Sequence, residues 1–147
     1  MFLDTVPELR ALVGEEASSA LRAAHAEESK GDKDASKPAF KAAYGNLSRS
    51  DAAAAEAQVT ALVERIEGKV EDERSVLDNL ALRLNGQYPN DVGIFNIYFL
   101  NFMRLQPGQA LFMSANEPHA YLSGDCIEVC SLSLSLFLLS LCLPFLD

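Results

Sequence analysis

The apolar positions of residues 1–86 recur at helical spacing. Between Pro7 and about Glu28, Leu9, Leu12, Val13, Leu21 and Ala24 fall near one stripe, which predicts helix. Gly14 interrupts that stripe and marks a break between two shorter helices. Ser29 to Lys37, SKGDKDASK, is polar and charged and reads as a loop. Pro38 suits the first turn of another helix, Pro38 to Tyr44, which Gly45-Asn46 is expected to end. Ser48 and Asp51 have capping-box-like spacing ahead of an alanine run. A helix is predicted from Ala52 to about Val70, with Val59, Leu62, Val63 and Ile66 on one face. Another runs from about Asp72 to Leu84 with Val76, Leu77, Leu80 and Leu84, and Asn85-Gly86 stops it. These faces predict helices that pack on one another.

The period then changes. Leu100, Phe102 and Arg104 alternate with Phe99, Asn101, Met103 and Leu105, as strand residues do. Pro107-Gly108 is a turn pair, and Ala110 to Met113 is a second short apolar run, so the two runs predict an antiparallel hairpin. Asn116 and Pro118 form a further corner. The extended runs His119 to Leu122 and Cys126 to Val129 follow, separated by a turn at Ser123-Gly124-Asp125. Short strands with close turn signals suggest a small barrel or sandwich. The expected fold class is therefore α+β, helices first and antiparallel strands after.

Composition narrows the function. A chain of 147 residues allows one ordinary domain or two small units, and 49% hydrophobic residues supply a core. The net charge of −9, with no basic stripe to offset it, opposes phosphate backbones and argues against nucleic-acid binding. Cys126, Cys130 and Cys142 are odd in number. The spacing of the first two suits a metal pair, but there is no second pair, so reduced cysteines of a cytoplasmic chain are expected. Met1 to Gly14 has neither the basic start nor the long apolar core of a secretory leader. Glu56, Glu64, Glu67 and Glu71 read as a solvated helix face, and His25 as a surface residue. There is no repeat, no Gly-rich phosphate loop and no nucleophile elbow. One residue stands out for chemistry. His119, between Pro118 and Ala120 at a strand entrance, is held as a metal ligand or general base would be. More often, such a histidine caps a turn or satisfies a backbone carbonyl, and a single His is a weak zinc signal.

The run Gln87 to Glu128 resembles the type I mannose-6-phosphate isomerases, zinc enzymes of the cupin superfamily. The specific elements are Leu-x-Pro-Gly-Gln-Ala-Leu-Phe at 105–112 and Ala-Asn-Glu-Pro-His-Ala-Tyr-Leu-x-Gly-Asp at 115–125. Phe2-Leu3-Asp4-Thr5-Val6-Pro7-Glu8-Leu9 is similar to the entry of that family's helical insertion domain. The resemblance implies a helical insertion domain over 1–86, a partial cupin-like antiparallel β-barrel segment over 87–130 and a divergent apolar tail over 131–147. It makes His119 a zinc ligand and places Tyr121 and Glu128 near the substrate pocket. The implied substrates are mannose 6-phosphate and fructose 6-phosphate, on the route to GDP-mannose.

The resemblance also implies what is absent. The family's other zinc ligands, a Gln, a His and a Glu, belong to a portion upstream of the helical domain, and its catalytic arginine follows the cupin segment. No Arg or Lys follows Arg104 here. The chain is expected to be a fragment that is inactive alone, with association with the full-length enzyme or another protein as the alternative. Ser131 to Leu146 is serine and leucine with Phe137 and Phe145. At about 16 residues it is shorter than the ~20 of a membrane-spanning helix, so membrane attachment is the lesser expectation for it.

Overall fold

The structure is a computed structural model that describes residues 1–28, 36–114 and 117–129. The chain divides into two compact units, one of Met1–Asn101 and one beginning at Phe102.

The first unit is helical: α1 (Phe2–Thr5), α2 (Pro7–Val13), α3 (Glu15–Glu28), α4 (Lys37–Ser48), α5 (Ala52–Glu67), α6 (Val76–Gln87) and α7 (Asn96–Phe99). Single 3-10 turns at Glu71–Glu73 and Val92–Phe95 join the later helices. Helix α5 is the centre. Ala55, Val59, Leu62 and Ile66 recur every three or four residues and are all buried. Helix α5 packs against α2, where Leu9 and Val13 are buried, and against α6 and the Val92–Phe95 turn, where Ile94 and Phe95 are buried. Helices α3 and α4 pack on each other, and both pack on α2. Four aromatic rings close one end. Phe99 lies 5.0 Å from Phe2, 5.4 Å from Phe40 and 5.4 Å from Tyr44, in tilted or edge-to-face geometry.

Helix ends follow local chemistry. Gly14 takes φ +86° between α2 and α3, a backbone that L side chains resist, so the expected break is real. The Asp51 carboxylate caps α5 by accepting the N–H groups of Ala53 and Ala54 at 3.0 Å each. Ser48 takes no part in that cap, because its hydroxyl donates to Tyr44 O within α4. The true capping box is Ser75 with Asp78, at the start of α6. Nor does Gly45-Asn46 end α4, which continues to Ser48. Leu47 extends the buried stripe, and Asn46 Nδ2 donates to Val13 O at 2.9 Å, capping the end of α2 instead. Val76, expected on the buried face of α6, is exposed at its first position. The loop expected at Ser29 to Lys37 lies outside the described residues over 29–35, and Lys37 already belongs to α4.

The second unit overturns the expected α+β class. Among the described residues there is no strand or sheet, and Ala110 alone carries an isolated bridge. The partial cupin-like antiparallel β-barrel segment is therefore not formed. Phe99, placed at a strand start by alternation, ends α7 with its ring buried in the aromatic cluster. Residues 101–106 and 117–122 are irregular. The physical reason is one of partners. A strand is stable only where another supplies its hydrogen-bond ladder and a packed layer covers its apolar face. Here Phe102, Met103, Phe112, Tyr121, Ile127 and Val129 are exposed. What persists is the local turn chemistry. Gln109 N–H donates to Gln106 O at 3.0 Å around Pro107-Gly108, with Gly108 at φ +80°, as a type II turn requires. Gly124, in the expected turn at 123–125, also has positive φ.

Candidate functional site

Every residue singled out for chemistry lies in the second unit. His119 is exposed, and its Nδ1 lies 3.0 Å from Glu117 O, across Pro118. A carbonyl oxygen only accepts, so Nδ1 carries the hydrogen and the Nε2 lone pair is left for another partner. The ring meets Tyr121 edge-on, with centroids 5.6 Å apart and planes at 66°. The structure thus places the histidine on a backbone carbonyl, in the tautomer a metal-binding histidine commonly uses. It brings His119 and Tyr121 together. Glu128 and Cys126 are exposed. Cys130 and Cys142, the Asn116 corner and the tail 131–147 lie outside the described residues.

The donor type suits zinc, but the donor number does not. Zinc takes about three or four protein ligands, and among the described residues no three His, Cys, Asp or Glu side chains converge. His119 can be one ligand of a site; the described residues do not complete it.

The helical unit holds a polar cluster that the sequence pattern does not reveal. Arg65 of α5 donates to both carboxylate oxygens of Glu8 in α2, at 2.6 and 3.0 Å, and Glu8 is only 6% exposed. Lys69 donates to Asp78 at 2.8 Å. Burial alone would raise the Asp78 carboxyl, but Lys69 and Ser75 outweigh it and hold it below the ordinary range. The Tyr98 hydroxyl lies buried without a hydrogen-bond partner. Its burial, with Asp78 nearby, pushes the phenol up to about 12. The first pair, Glu8 with Arg65, ties α5 to α2, and the second, Lys69 with Asp78, ties the segment after α5 to α6. Glu8 and Arg65 are 57 residues apart, and nothing local in the sequence announces their pairing. The expected solvated row holds, for Glu56, Glu64, Glu67 and Glu71 are all exposed; so is His25, whose Nδ1 lies 3.5 Å from Glu28.

Residues 12–100 match the family model described as phosphomannose isomerase type I, helical insertion domain. The chain belongs to the type I phosphomannose isomerase family. The match begins within α2, ends just past α7 and lies wholly in the first unit. Mannose-6-phosphate isomerase of Mus musculus is 40% identical over 130 residues, covering 86% of this chain and 30% of the relative. The Homo sapiens enzyme is 38% identical over the same shares. A probable mannose-6-phosphate isomerase of Dictyostelium discoideum is 57% identical over 67 residues, 46% of this chain and 15% of its own. The chain thus spans about a third of the length of the curated mammalian relatives it matches. No solved structure gives a significant match. Phosphomannose isomerases of this type are zinc enzymes of carbohydrate metabolism, and no helix among the described residues is long and apolar enough to cross a membrane.

Proposed function

We propose that this chain serves the interconversion of mannose 6-phosphate and fructose 6-phosphate, contributing the helical insertion domain and His119 as one zinc ligand. The family match across residues 12–100 carries the proposal. The reaction moves a proton between C1 and C2 of the sugar, and zinc in such a site would stabilise the charge that develops on oxygen. This chain's part is a nitrogen donor, with Tyr121 and Glu128 as residues of the substrate pocket. Its setting is the cytoplasm.

By itself the chain is inactive. It offers one candidate ligand among its described residues, and its net charge of −9 repels a sugar phosphate. Purified chain given zinc and mannose 6-phosphate is expected to form no fructose 6-phosphate. It should retain far less than one zinc per chain after dialysis, and His119→Ala should remove what is retained. Turnover comparable to a complete relative would overturn the inactivity. Zinc retention untouched by His119→Ala would overturn the ligand role.

One observation favours a second role, association with a complete isomerase chain. Six large apolar side chains between Phe102 and Val129 stand exposed, a surface of the kind that binding covers. Co-purification with a full-length relative tests it. A monodisperse monomer that ignores the full-length enzyme would end the idea.

A further inference from the structure

We infer that the bond between Arg104 and Leu105 is a processing site. The enzyme that fits it is an endoprotease of the trypsin class, whose primary pocket takes an arginine side chain on a carboxylate. The cut parts the helical unit from His119, Tyr121 and Glu128. It does not depend on the reaction proposed above.

Such a protease binds its substrate extended, so the residues around the cut must first leave any helix. The chain has seven arginines, and all lie among the described residues. Arg10, Arg22, Arg65 and Arg83 sit inside α2, α3, α5 and α6, where backbone groups bond within the helix. Arg49 follows α4 directly, and its N–H donates to Gly45 O at 3.2 Å. Only residues 49–51 link α4 to α5, too few to lie extended across a protease cleft. Arg74 is held by its side chain, which donates to Ile66 O and Glu67 O at 3.2 Å each. Arg104 differs from all six. Residues 101–106 are irregular, and Asn101, Phe102, Met103 and Arg104 are exposed. This segment can extend without the loss of a helical turn. The turn closed by Gln109 N–H and Gln106 O begins past the bond to be cut.

Charge points the same way. Across residues 92–116 Arg104 is the sole charged side chain, in a chain of net charge −9. No carboxylate near it in sequence competes for the guanidinium or repels the one in the pocket. Its guanidinium lies 5.6 Å from the centre of the Phe102 ring, a contact that is weak when exposed. A paired, hydrogen-bonded carboxylate holds arginine more strongly. Phe102 and Met103, 37% and 53% exposed, offer apolar side chains to the subsites before the arginine. Pro107 stands clear of the position next to the cut, where proline blocks cleavage. Hydrolysis breaks the C–N bond: water gives hydroxyl to the Arg104 carbonyl carbon and hydrogen to the Leu105 nitrogen. Among the described residues, every buried side chain stays with the piece ending at Arg104, which therefore keeps its core.

The test is brief digestion of the full chain with a limiting amount of an arginine-specific endoprotease, read by intact mass and N-terminal sequencing. The expected first products are residues 1–104 and a piece beginning at Leu105, with helical circular dichroism preserved. Arg104→Gln should slow the loss of full-length chain about tenfold or more, because the remaining arginines are cut only after local opening. Leu105→Pro, which keeps the arginine, should slow it likewise. A first cut at any other arginine would overturn the inference, as would loss of the Arg104→Gln chain at the unaltered rate. So would loss of the helical signal with the first cut. The position of that cut is read on the unaltered chain and stands whether or not a variant folds.

Discussion

Among the described residues, two buried hydroxyls lack partners. Ser18 of α3 is fully buried, and its Oγ has no hydrogen-bond partner. An unmade buried bond costs its full desolvation, and alanine is also the better helix former. Ser18→Ala should therefore stabilise the chain by about 1 kcal/mol, read as a higher urea midpoint with an unchanged slope. A lower midpoint would mean that the hydroxyl is satisfied in solution. The other orphan is Tyr98. Its raised phenol favours the neutral form in the folded chain, so that stability is present below the ordinary value of 10.0 and is lost as pH climbs toward about 12. Tyr98→Phe should abolish that alkaline loss while leaving the neutral-pH melting temperature equal or higher. An unchanged alkaline profile would place the loss elsewhere. The nearby carboxylate of Asp78 works in the opposite sense. Asp78 is held below its ordinary 3.8, so its contribution persists above that value and fades as pH falls beneath it.

Helices were legible in the sequence because each carries its own evidence. The buried positions Val59, Leu62 and Ile66 were visible as period alone, and Gly14 as a break. Gly14→Ala meets no atom within 4 Å, so its cost is backbone strain at φ +86°. A loss of about 1–2 kcal/mol is expected in chemical denaturation, and no loss would mean that the α2–α3 junction rearranges freely. Where the pattern misled, the deciding partner was distant. Gly45-Asn46 reads as a stop until Asn46 is seen to bond Val13, and the Glu8–Arg65 pair has no local trace at all. The strand alternation of 99–105 failed for the converse reason. Alternation describes a face, and a face becomes a strand only with a neighbour. Turns need no neighbour, which is why Pro107-Gly108 held. His119 was legible as a stiffly held side chain, while its ring partner Tyr121 was known only as a motif neighbour.

Across the whole molecule, burial is unevenly shared. Every buried side chain among the described residues lies at or before Phe99. Hydrophobic stabilisation therefore resides in the helical unit. A chain ending at Asn101 should keep the thermal midpoint of the full chain within a few degrees, as followed by helical circular dichroism. A large fall would show that later residues support the helices in solution. The candidate chemistry, in contrast, lies wholly in the unit beginning at Phe102, none of whose described residues is fully buried. Scaffold and reactive group are thus assigned to different parts of the chain, and damage to one need not register in assays of the other.

The bond from Asn46 to Val13 bears on a modification as well as on folding. Asn46-Leu47-Ser48 has the spelling of an N-glycosylation acceptor. The amide nitrogen that would carry the sugar is the one that donates to the last carbonyl of α2, and Leu47 beside it is packed at 2% exposure. Asn46 is exposed, and a glycan replaces one of the two hydrogens on that nitrogen, so the bond to Val13 then depends on the one that remains. Produced in a secretory host, a chain bearing sugar at Asn46 would keep the tie between α4 and α2 only with the remaining N–H turned to Val13 and the glycan turned to solvent.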